Sequence, residues 1–435
     1  MPQEAAAQPK MRDLEAENQR LRHAVEELSV LNEVASAVSS ASSLDAVIDL
    51  IVQKCVKHLS VEQAAVLLFN DKDSAAALHT MVRRVQTDVN STPYRLNDLL
   101  IGWMLKNQAP LMISDLRADP RFSAVVQPDS QLRSLTCVPL RLKGRMVGVL
   151  SAFNKKLPDV FSDSDQRLLT IIASQSAQVI ENARLYEEEK ALQIMQQELR
   201  VAHDIQMRLL PSEAPAVLGY EITGATLPAS NVGGDYYDFI PCGQKQMAIC
   251  LGDVSGKGIP AAVLMACVQA TIRAQTLLEA TASACLERSN QLLHRSTDAG
   301  RFVTLFYGIL DPDGHRFAYS NGGHNPPILL STGRSPRLLT AGGPVLGVLP
   351  DFHFEEAEVS LDPGDLIVIF SDGFTEAMNL SLEEFGEERL LETLEQNRHR
   401  PVKEMVEAMF AAIRQYAGGA SQHDDMTIVM VRRSQ

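Results

Sequence analysis

The sequence predicts an α+β chain of more than one domain, and three observations carry that reading. At 435 residues the chain exceeds what one ordinary hydrophobic core holds. Two stretches, 11–38 and 185–209, repeat apolar residues at near-heptad spacing. Around them, helical periodicity alternates with short β-type runs bounded by turn formers.

The first heptad stretch places Leu14, Leu21, Leu28 and Ala35 in one row, interleaved with Ala24, Leu31 and Val38. It reads equally as a short coiled coil or as a lone amphipathic helix on the next domain. From about 40 to 160 the pattern is mixed: "LDAVIDLIVQKCVKHL" is an amphipathic helix and "AAVLLFN" a buried strand. "CVPLRLKGRMVGVLSAFN" alternates around Lys143-Gly144, which predicts a β-hairpin. Ser and Asp capping signals then open a long helix at "FSDSDQ". Leu185, Leu192 and Leu199 form one row on it, with Met195, Ala202 and Leu209 offset, until Pro211 stops it. Such a seam wants a partner helix, and parallel dimerisation is the expectation.

Beyond Pro211 the signal changes to strands and turns. Hairpins are expected at "DYYDFIPCGQKQMAICLGDVSG" and around Asp311-Pro312-Asp313-Gly314; "IPAAVLMACVQATIRAQTLL" and the stretch from Ser283 to His294 read as helices, as do "SLEEFGEERLLETLEQ" and "VKEMVEAMFAAIRQYA". "DLIVIFSDG" and "DDMTIVMV" are short apolar strands. Paired sheets with helices outside is the coarse prediction.

Composition removes several function classes. A net charge of −14 argues against nucleic-acid binding, which needs a basic footprint. The N-terminus lacks a signal-peptide core, and "IPAAVLMACVQATI" falls short of a membrane span. Six cysteines form no CxxC pair. A reduced, cytoplasmic protein is expected, with neither membrane nor nucleic acid as partner.

"CLGDVSGKGIPAA" looks at first like a phosphate-cradling loop. The Walker spacing fails, because Leu251 stands where its first glycine belongs and Gly258 follows Lys257. A nucleotide-driven kinase or ATPase therefore lacks its loop. Cys267 and Arg273 match a bare C-x5-R spacing, but their helical, glycine-free setting cannot wrap a phosphate.

The acids read better. Asp235 follows "VGG", Asp253 and Asp372 end apolar runs, and Asp424-Asp425 open another. One acid at a strand end is a turn or cap residue; four gathered at one sheet edge repel unless a hard divalent cation lies among them. Two such ions roughly 3.5–4 Å apart can activate a bridging hydroxide against phosphorus.

"VGGDYYDF", "GDVSGKGIPAA", "NGGHNPP", "GGPVLG", "FSDGFTEA" and "DDMTIVMV" occur in the order of the bacterial metal-dependent protein phosphatases (PPM type) of the SpoIIE/RsbU branch. Residues 212–435 resemble that family. The resemblance implies an α-β-β-α sandwich with two Mn²⁺ or Mg²⁺ ions that dephosphorylates phosphoserine or phosphothreonine on a partner protein, such as an anti-sigma-factor antagonist. It implies Asp253 as the metal bridge, the Val254 carbonyl as a further ligand, and Asp235, Asp372 and Asp424 as the remaining acids. Asp425 competes with Asp424 for the last place.

Asp238 reads as structural. Eukaryotic-type members carry a histidine two residues after the bridging acid; Ser255 stands there, and serine donates protons poorly at neutral pH. His324 is the alternative acid, though its turn-rich setting favours a loop-fixing role. Lys257 reads equally as a phosphate contact or a solvated lysine.

"LNEVASAVSSASSLDAVIDLIVQ", "LMISDLRADPRF" and "VPLRLKGRMVGVLSAFNK" resemble a GAF domain over 28–184, with an antiparallel sheet and flanking helices. Asn154, Lys155, Phe161 and Asp165 echo the pattern of cyclic-nucleotide-binding members, but Gln166 replaces the final Glu. A bracing role is favoured for them, and the GAF ligand stays open. The expected organisation is an N-terminal helix or coiled coil (1–27), a GAF sensor (28–184), a helical coiled-coil linker (185–211) and a phosphatase domain (212–435). The competing reading is a GAF-based scaffold with a degenerate phosphatase domain.

Overall fold

The computed structural model describes residue 17 and residues 43–69, 98–122, 131–156, 158–296 and 300–434. The heptad stretch at 11–38, and with it the expected N-terminal coiled coil, lies outside the described residues apart from Glu17. The chain divides into two compact units, Met1–Ile194 and Met195–Gln435.

In the first unit, α1 (Leu44–Leu59) is capped by the Ser43 hydroxyl, which accepts from the Ala46 amide at 3.2 Å. An antiparallel sheet follows in the order β1-β4-β3-β2, from β1 (Val61–Leu68), β2 (Leu111–Ile113), β3 (Leu135–Leu142) and β4 (Arg145–Lys155). A short helix, α2 (Asp98–Asn107), precedes β2. The β3–β4 hairpin turns at Lys143 and Gly144, with φ of 49° and 84°. That is the left-handed pair a tight, strand-matched turn requires. Val138, Leu140, Leu150 and Ala152 bury one sheet face under α1 and the start of α3 (Asp163–Leu209). Ser162 and Asp165 cap α3 reciprocally: the Ser162 amide donates to Oδ2 of Asp165 at 2.9 Å, and the Asp165 amide to Oγ of Ser162 at 3.3 Å. The 47-residue helix runs unbroken to the residues before Pro211, as its periodicity predicts.

The GAF-pattern residues brace this unit. Asn154 is buried with a left-handed φ of 53°; its side chain accepts from the Arg133 and Ser134 amides and donates to Glu62 and the Gln131 carbonyl. Lys155 pairs with Asp165 at 2.7 Å, and Phe161 lies in the core. Each has a structural partner, in line with the bracing role.

The second unit contains two sheets. One runs β11-β10-β14-β15-β5, from β5 (Tyr220–Leu227), β10 (Ile328–Leu330), β11 (Arg337–Leu338), β14 (Leu366–Phe370) and β15 (Met426–Arg433). The other runs β12-β9-β8-β7-β6, from β6 (Tyr236–Cys242), β7 (Gln246–Val254), β8 (Val303–Asp311), β9 (Arg316–Gly322) and β12 (Gly342–Gly343), with β13 (Ala357–Ser360) also on β9. Strand alternation divides the core. Ile367, Ile369, Val429 and Val431 face the second sheet, whereas Leu366, Val368, Phe370 and Met430 face α6 (Gly386–Asn397) and α7 (Val402–Ala417). Two further helices, α4 (Ile259–Leu278) and α5 (Ala282–Ser296), cover the other sheet. The result is the α-β-β-α sandwich expected.

One expectation is corrected. The run to Ile272 falls short of a membrane span, but the whole of α4 has 20 residues and is, among the described residues, the helix long and apolar enough to cross a membrane. Its Leu264, Met265, Val268 and Ile272 are buried in the sandwich core. Arg273 does not break the run, because its guanidinium reaches back to Asp238.

Candidate metal centre

Antiparallel pairing brings the sequence-predicted acids to one end of both sheets. Asp235 immediately precedes β6, and Asp253 is the penultimate residue of β7, its neighbour, where Tyr236 pairs with Gly252. In the other sheet, Asp372 opens a 3-10 turn just after β14, and Asp424 lies two residues before its neighbour β15. Strand ends bring these side chains close together because a chain leaves a sheet there and turns.

Close approach explains the glycines. A Cβ on Gly234 would meet the Val254 carbonyl at 2.8 Å and Oδ1 of Asp253 at 3.1 Å, while one on Gly373 would collide with the Asp425 backbone. The loop before β6 thus lies against the end of β7 because no side chain holds it off.

The electrostatics are those of crowded carboxylates. Burial, then the Asp253 charge, drives the Asp235 carboxyl well above the usual range, while the Thr427 and Ser371 hydroxyls pull it back. Asp253 is pushed up to about 7 by burial and by Asp372, Asp424 and Asp425. Asp372 is raised by burial and by Asp424. Glu376, which the sequence did not single out, is raised by burial and by the same Asp372. Oδ2 of Asp235 is buried without a hydrogen-bond partner among the described residues. Orphaned, mutually repelling carboxylate oxygens are the donor set a hard divalent cation takes. Among the described residues, no three His, Cys, Asp or Glu side chains already converge on one point. One acid is turned aside by a lysine: Nζ of Lys257 sits 3.1 Å from Oδ2 of Asp424 and donates to the His423 carbonyl.

Asp425 and Asp424 differ sharply. The Asp425 carboxylate is buried and accepts from the amides of Ala229 at 2.7 Å, Gly234 at 2.6 Å and Asp235 at 3.4 Å. It fixes the loop that carries Asp235. Asp424 is half-buried, and its Oδ1 caps the Asp425 amide at 2.9 Å.

The remaining candidates fall outside the cluster of acids. Asp238 is fully buried and holds Arg273 at 2.7 Å and 3.1 Å, the Tyr236 hydroxyl at 2.8 Å and the Phe239 amide. It is a structural ion pair, and it also accounts for the arginine of the C-x5-R spacing. The Ser255 hydroxyl accepts from the Phe302 amide at 2.9 Å, so it pins a loop. His324 is buried and neutral, its pKa lowered by burial to about 4. Its Nδ1 lies 2.9 Å from the Thr304 hydroxyl, and Asn321 brackets its backbone on both sides.

Sequence reasoning missed Gln206. On the last turns of α3 it is buried, donates through Nε2 to the Gly233 carbonyl at 2.6 Å and accepts from the Gly233 amide at 3.0 Å. Nearby, Nδ1 of His203 is 2.7 Å from the Asn231 carbonyl. Glutamine in a helix carries no local signal; only its burial next to "VGG" reveals it.

Comparison with known proteins agrees with this geometry. Residues 243–434 match the family model "Stage II sporulation protein E (SpoIIE)", and residues 41–181 match "GAF domain". The chain is 31% identical over 255 residues to phosphoserine phosphatase RsbU of Bacillus subtilis, covering 57% of this chain and 75% of that protein. The chain belongs to the SpoIIE/RsbU family of PPM-type protein phosphatases. It is also 29% identical to protein IcfG of Synechocystis over 54% of this chain and 42% of that one. Among solved structures, the SiaA-PP2C domain of Pseudomonas aeruginosa aligns with a TM-score of 0.51 at 24% identity, over 56% of this chain and 98% of that domain. That likeness supports the PPM fold for the C-terminal half. A GAF domain thus precedes a SpoIIE/RsbU-type phosphatase domain in one chain.

Proposed function

We propose that this chain is a GAF-regulated, metal-dependent phosphatase that hydrolyses phosphoserine or phosphothreonine on a partner protein, an anti-sigma-factor antagonist being the class its family points to. The observation that carries this is the acid cluster: the buried Asp235 with an orphaned oxygen and the half-buried Asp253 and Asp372, whose carboxyls are raised by one another's charge and by burial, at the sheet ends where the family motifs fall.

Asp253, Asp235, Asp372, Asp424 and the Val254 carbonyl would hold two Mn²⁺ or Mg²⁺ ions, with Asp253 the ligand that the family pattern would have them share. Asp425 is the weaker choice, since backbone amides engage both of its oxygens. Bound there, such ions supply Lewis acidity and an acidified water. The chain's own residues do the rest. Asp425 and Gln206 hold the Asp235 loop, and Lys257, beside Asp424, would meet a substrate phosphate. Ser255 and His324 are each held by structural hydrogen bonds, so a metal-bound water or another residue would protonate the leaving alkoxide.

The domain assignment is 1–27 for an N-terminal helix, 28–184 for the GAF sensor, 185–211 for the linker and 212–435 for the phosphatase. Leu185, Leu192 and Met195 are exposed on α3, which supports homodimerisation through the linker. A light-scattering mass of one chain would count against that. A change in the GAF domain or at the dimer seam reaches the catalytic loop through the grip of α3 on Gly233.

The deciding experiment is hydrolysis of p-nitrophenyl phosphate and a phosphoserine protein by the full chain with Mn²⁺, with chelator, and with Asp253→Asn. Turnover that survives chelation, or full activity in Asp253→Asn, removes the metal mechanism and leaves a GAF scaffold.

A further inference from the structure

An apolar groove opens beside the acid cluster. It encloses about 430 Å³, at the small end of the ~300–1,000 Å³ range of ligand sites. Its floor is Met378, Phe410, Ile413 and Met426, with Leu227 and Ala417 at the edges. The groove shares Lys257, Gln422, His423 and Asp424 with the smaller cleft that contains Asp253. Loop residues 422–424, with Lys257, therefore line both.

That loop is fixed. Nε2 of Gln422 donates to the carbonyls of Leu227 and Asp424, both at 2.8 Å, which ties the loop across the groove mouth. Phe410 packs on Phe374 with ring centroids 5.1 Å apart, and Phe374 belongs to the turn opened by Asp372. The groove is thus built onto the strand ends that present the acids; its lining is mainly apolar, with Glu376 and Arg414 as further charged members, and it stands open among the described residues. An open apolar concavity of this kind marks a binding surface.

We propose that this groove is a specificity subsite that receives an apolar side chain of the phosphoprotein, a few residues from the phosphoserine. The inference rests on the phosphatase reading above and adds to it the chemistry of the substrate. Continuity selects the occupant: a chain whose phosphoserine sits among the acids passes Lys257 and Asp424, and the next surface it meets is this floor. An apolar side chain placed there leaves water while the phosphate is held, which orients the scissile bond without any change to the metal ligands.

The test uses fluorescein-labelled nine-residue peptides centred on phosphonomethyl-alanine, a phosphoserine mimic that cannot be hydrolysed. The flanks are Gly and Ser, with a single Leu scanned through each position. Anisotropy titrations against the full chain with Mn²⁺ should find one or two Leu positions that tighten Kd about tenfold over the all-Gly/Ser peptide. Ala417→Glu and, separately, Leu227→Glu, each at a groove edge that tolerates a polar side chain, should reduce that preference to less than twofold. Equal Kd for every peptide, or a Leu preference that survives both substitutions, overturns the subsite. So does a fall in light-scattering mass in either variant with no Leu preference in the wild type, since the groove then seats a second copy of the chain. Binding of the all-Gly/Ser phosphonopeptide that is absent, or unchanged by chelator, counts against the phosphatase reading itself, whereas the Kd comparison between Leu positions reads the groove.

Discussion

Gln206 and Gly233 exchange two hydrogen bonds, Nε2 to the Gly233 carbonyl at 2.6 Å and the Gly233 amide to Oε1 at 3.0 Å. The pair joins the end of the long helix to the loop that presents Asp235, and Asp425 holds the same loop from the other side. Gln206→Ala leaves a buried amide and carbonyl without partners, at a cost of about 1–3 kcal/mol. With the loop loosened, the Mn²⁺ concentration for half-maximal activity should rise about tenfold. Gln206→Glu keeps the acceptor, loses the donor and should fall between the two. A Mn²⁺ titration followed both by turnover and by thermal shift checks this; an unchanged half-saturation in Gln206→Ala would sink the coupling.

That grip was not legible in the sequence, whereas the acids it serves were. Asp235, Asp253, Asp372 and Asp424 stand at the ends of apolar runs beside glycine or another turn-former, and the residue type at that position already points to a cation. The turn at Lys143-Gly144 was legible for the same local reason. Gln206 depends on a partner 27 residues away and on burial, neither of which periodicity reports. Asp424 and Asp425 are the same residue type side by side, so only the backbone amides around Asp425 separate their roles. The extent of α4 was legible, whereas the ion pair that Arg273 makes from it to Asp238 was not, because that partner lies on a strand 35 residues away.

The Arg273–Asp238 pair gives a stability prediction distinct from catalysis. Asp238 is fully buried, so Arg273→Met strands its carboxylate with only the Tyr236 hydroxyl and the Phe239 amide. Losing one partner of a buried pair is costly even where the intact pair is not strongly stabilising. A loss of about 2–3 kcal/mol in urea unfolding is expected. Below its melting transition the variant should keep the wild-type Mn²⁺ half-saturation, because the partners of Asp238 are Arg273, Tyr236 and Phe239 rather than the other acids. A shifted half-saturation would instead make Asp238 part of the metal site.

His324 offers a test of the leaving-group acid. Burial holds its pKa down to about 4, so the ring stays neutral throughout the neutral range. His324→Gln should therefore leave the limbs of the pH–rate profile in place, while it loses the Thr304 contact and about 1–3 kcal/mol of stability. Movement of either limb by a full pH unit would return His324 to the list of proton donors.

The pKa of Asp253 makes the fold itself sensitive to pH and metal. Its folded value is raised from 3.8 to about 7, so between those values the folded chain binds a proton that the unfolded chain has released. Stability from this group is therefore fully present below about pH 4 and is lost as pH rises to about 7. With chelator, this contribution should lower the melting temperature progressively across that window, superimposed on the opposite trends of ordinary carboxylates. The clean measurement is the difference between wild type and Asp253→Asn, which lacks the titrating group. In chelator the variant should melt higher than the wild type at pH 8, with the gap closing toward pH 5. Saturating Mn²⁺ should reverse the order at pH 8, because the cation offsets the repulsion in the wild type and finds one fewer anionic ligand in the variant. Identical melting curves for the two proteins in chelator at pH 8 would mean that Asp253 carries no repulsion for a metal to relieve.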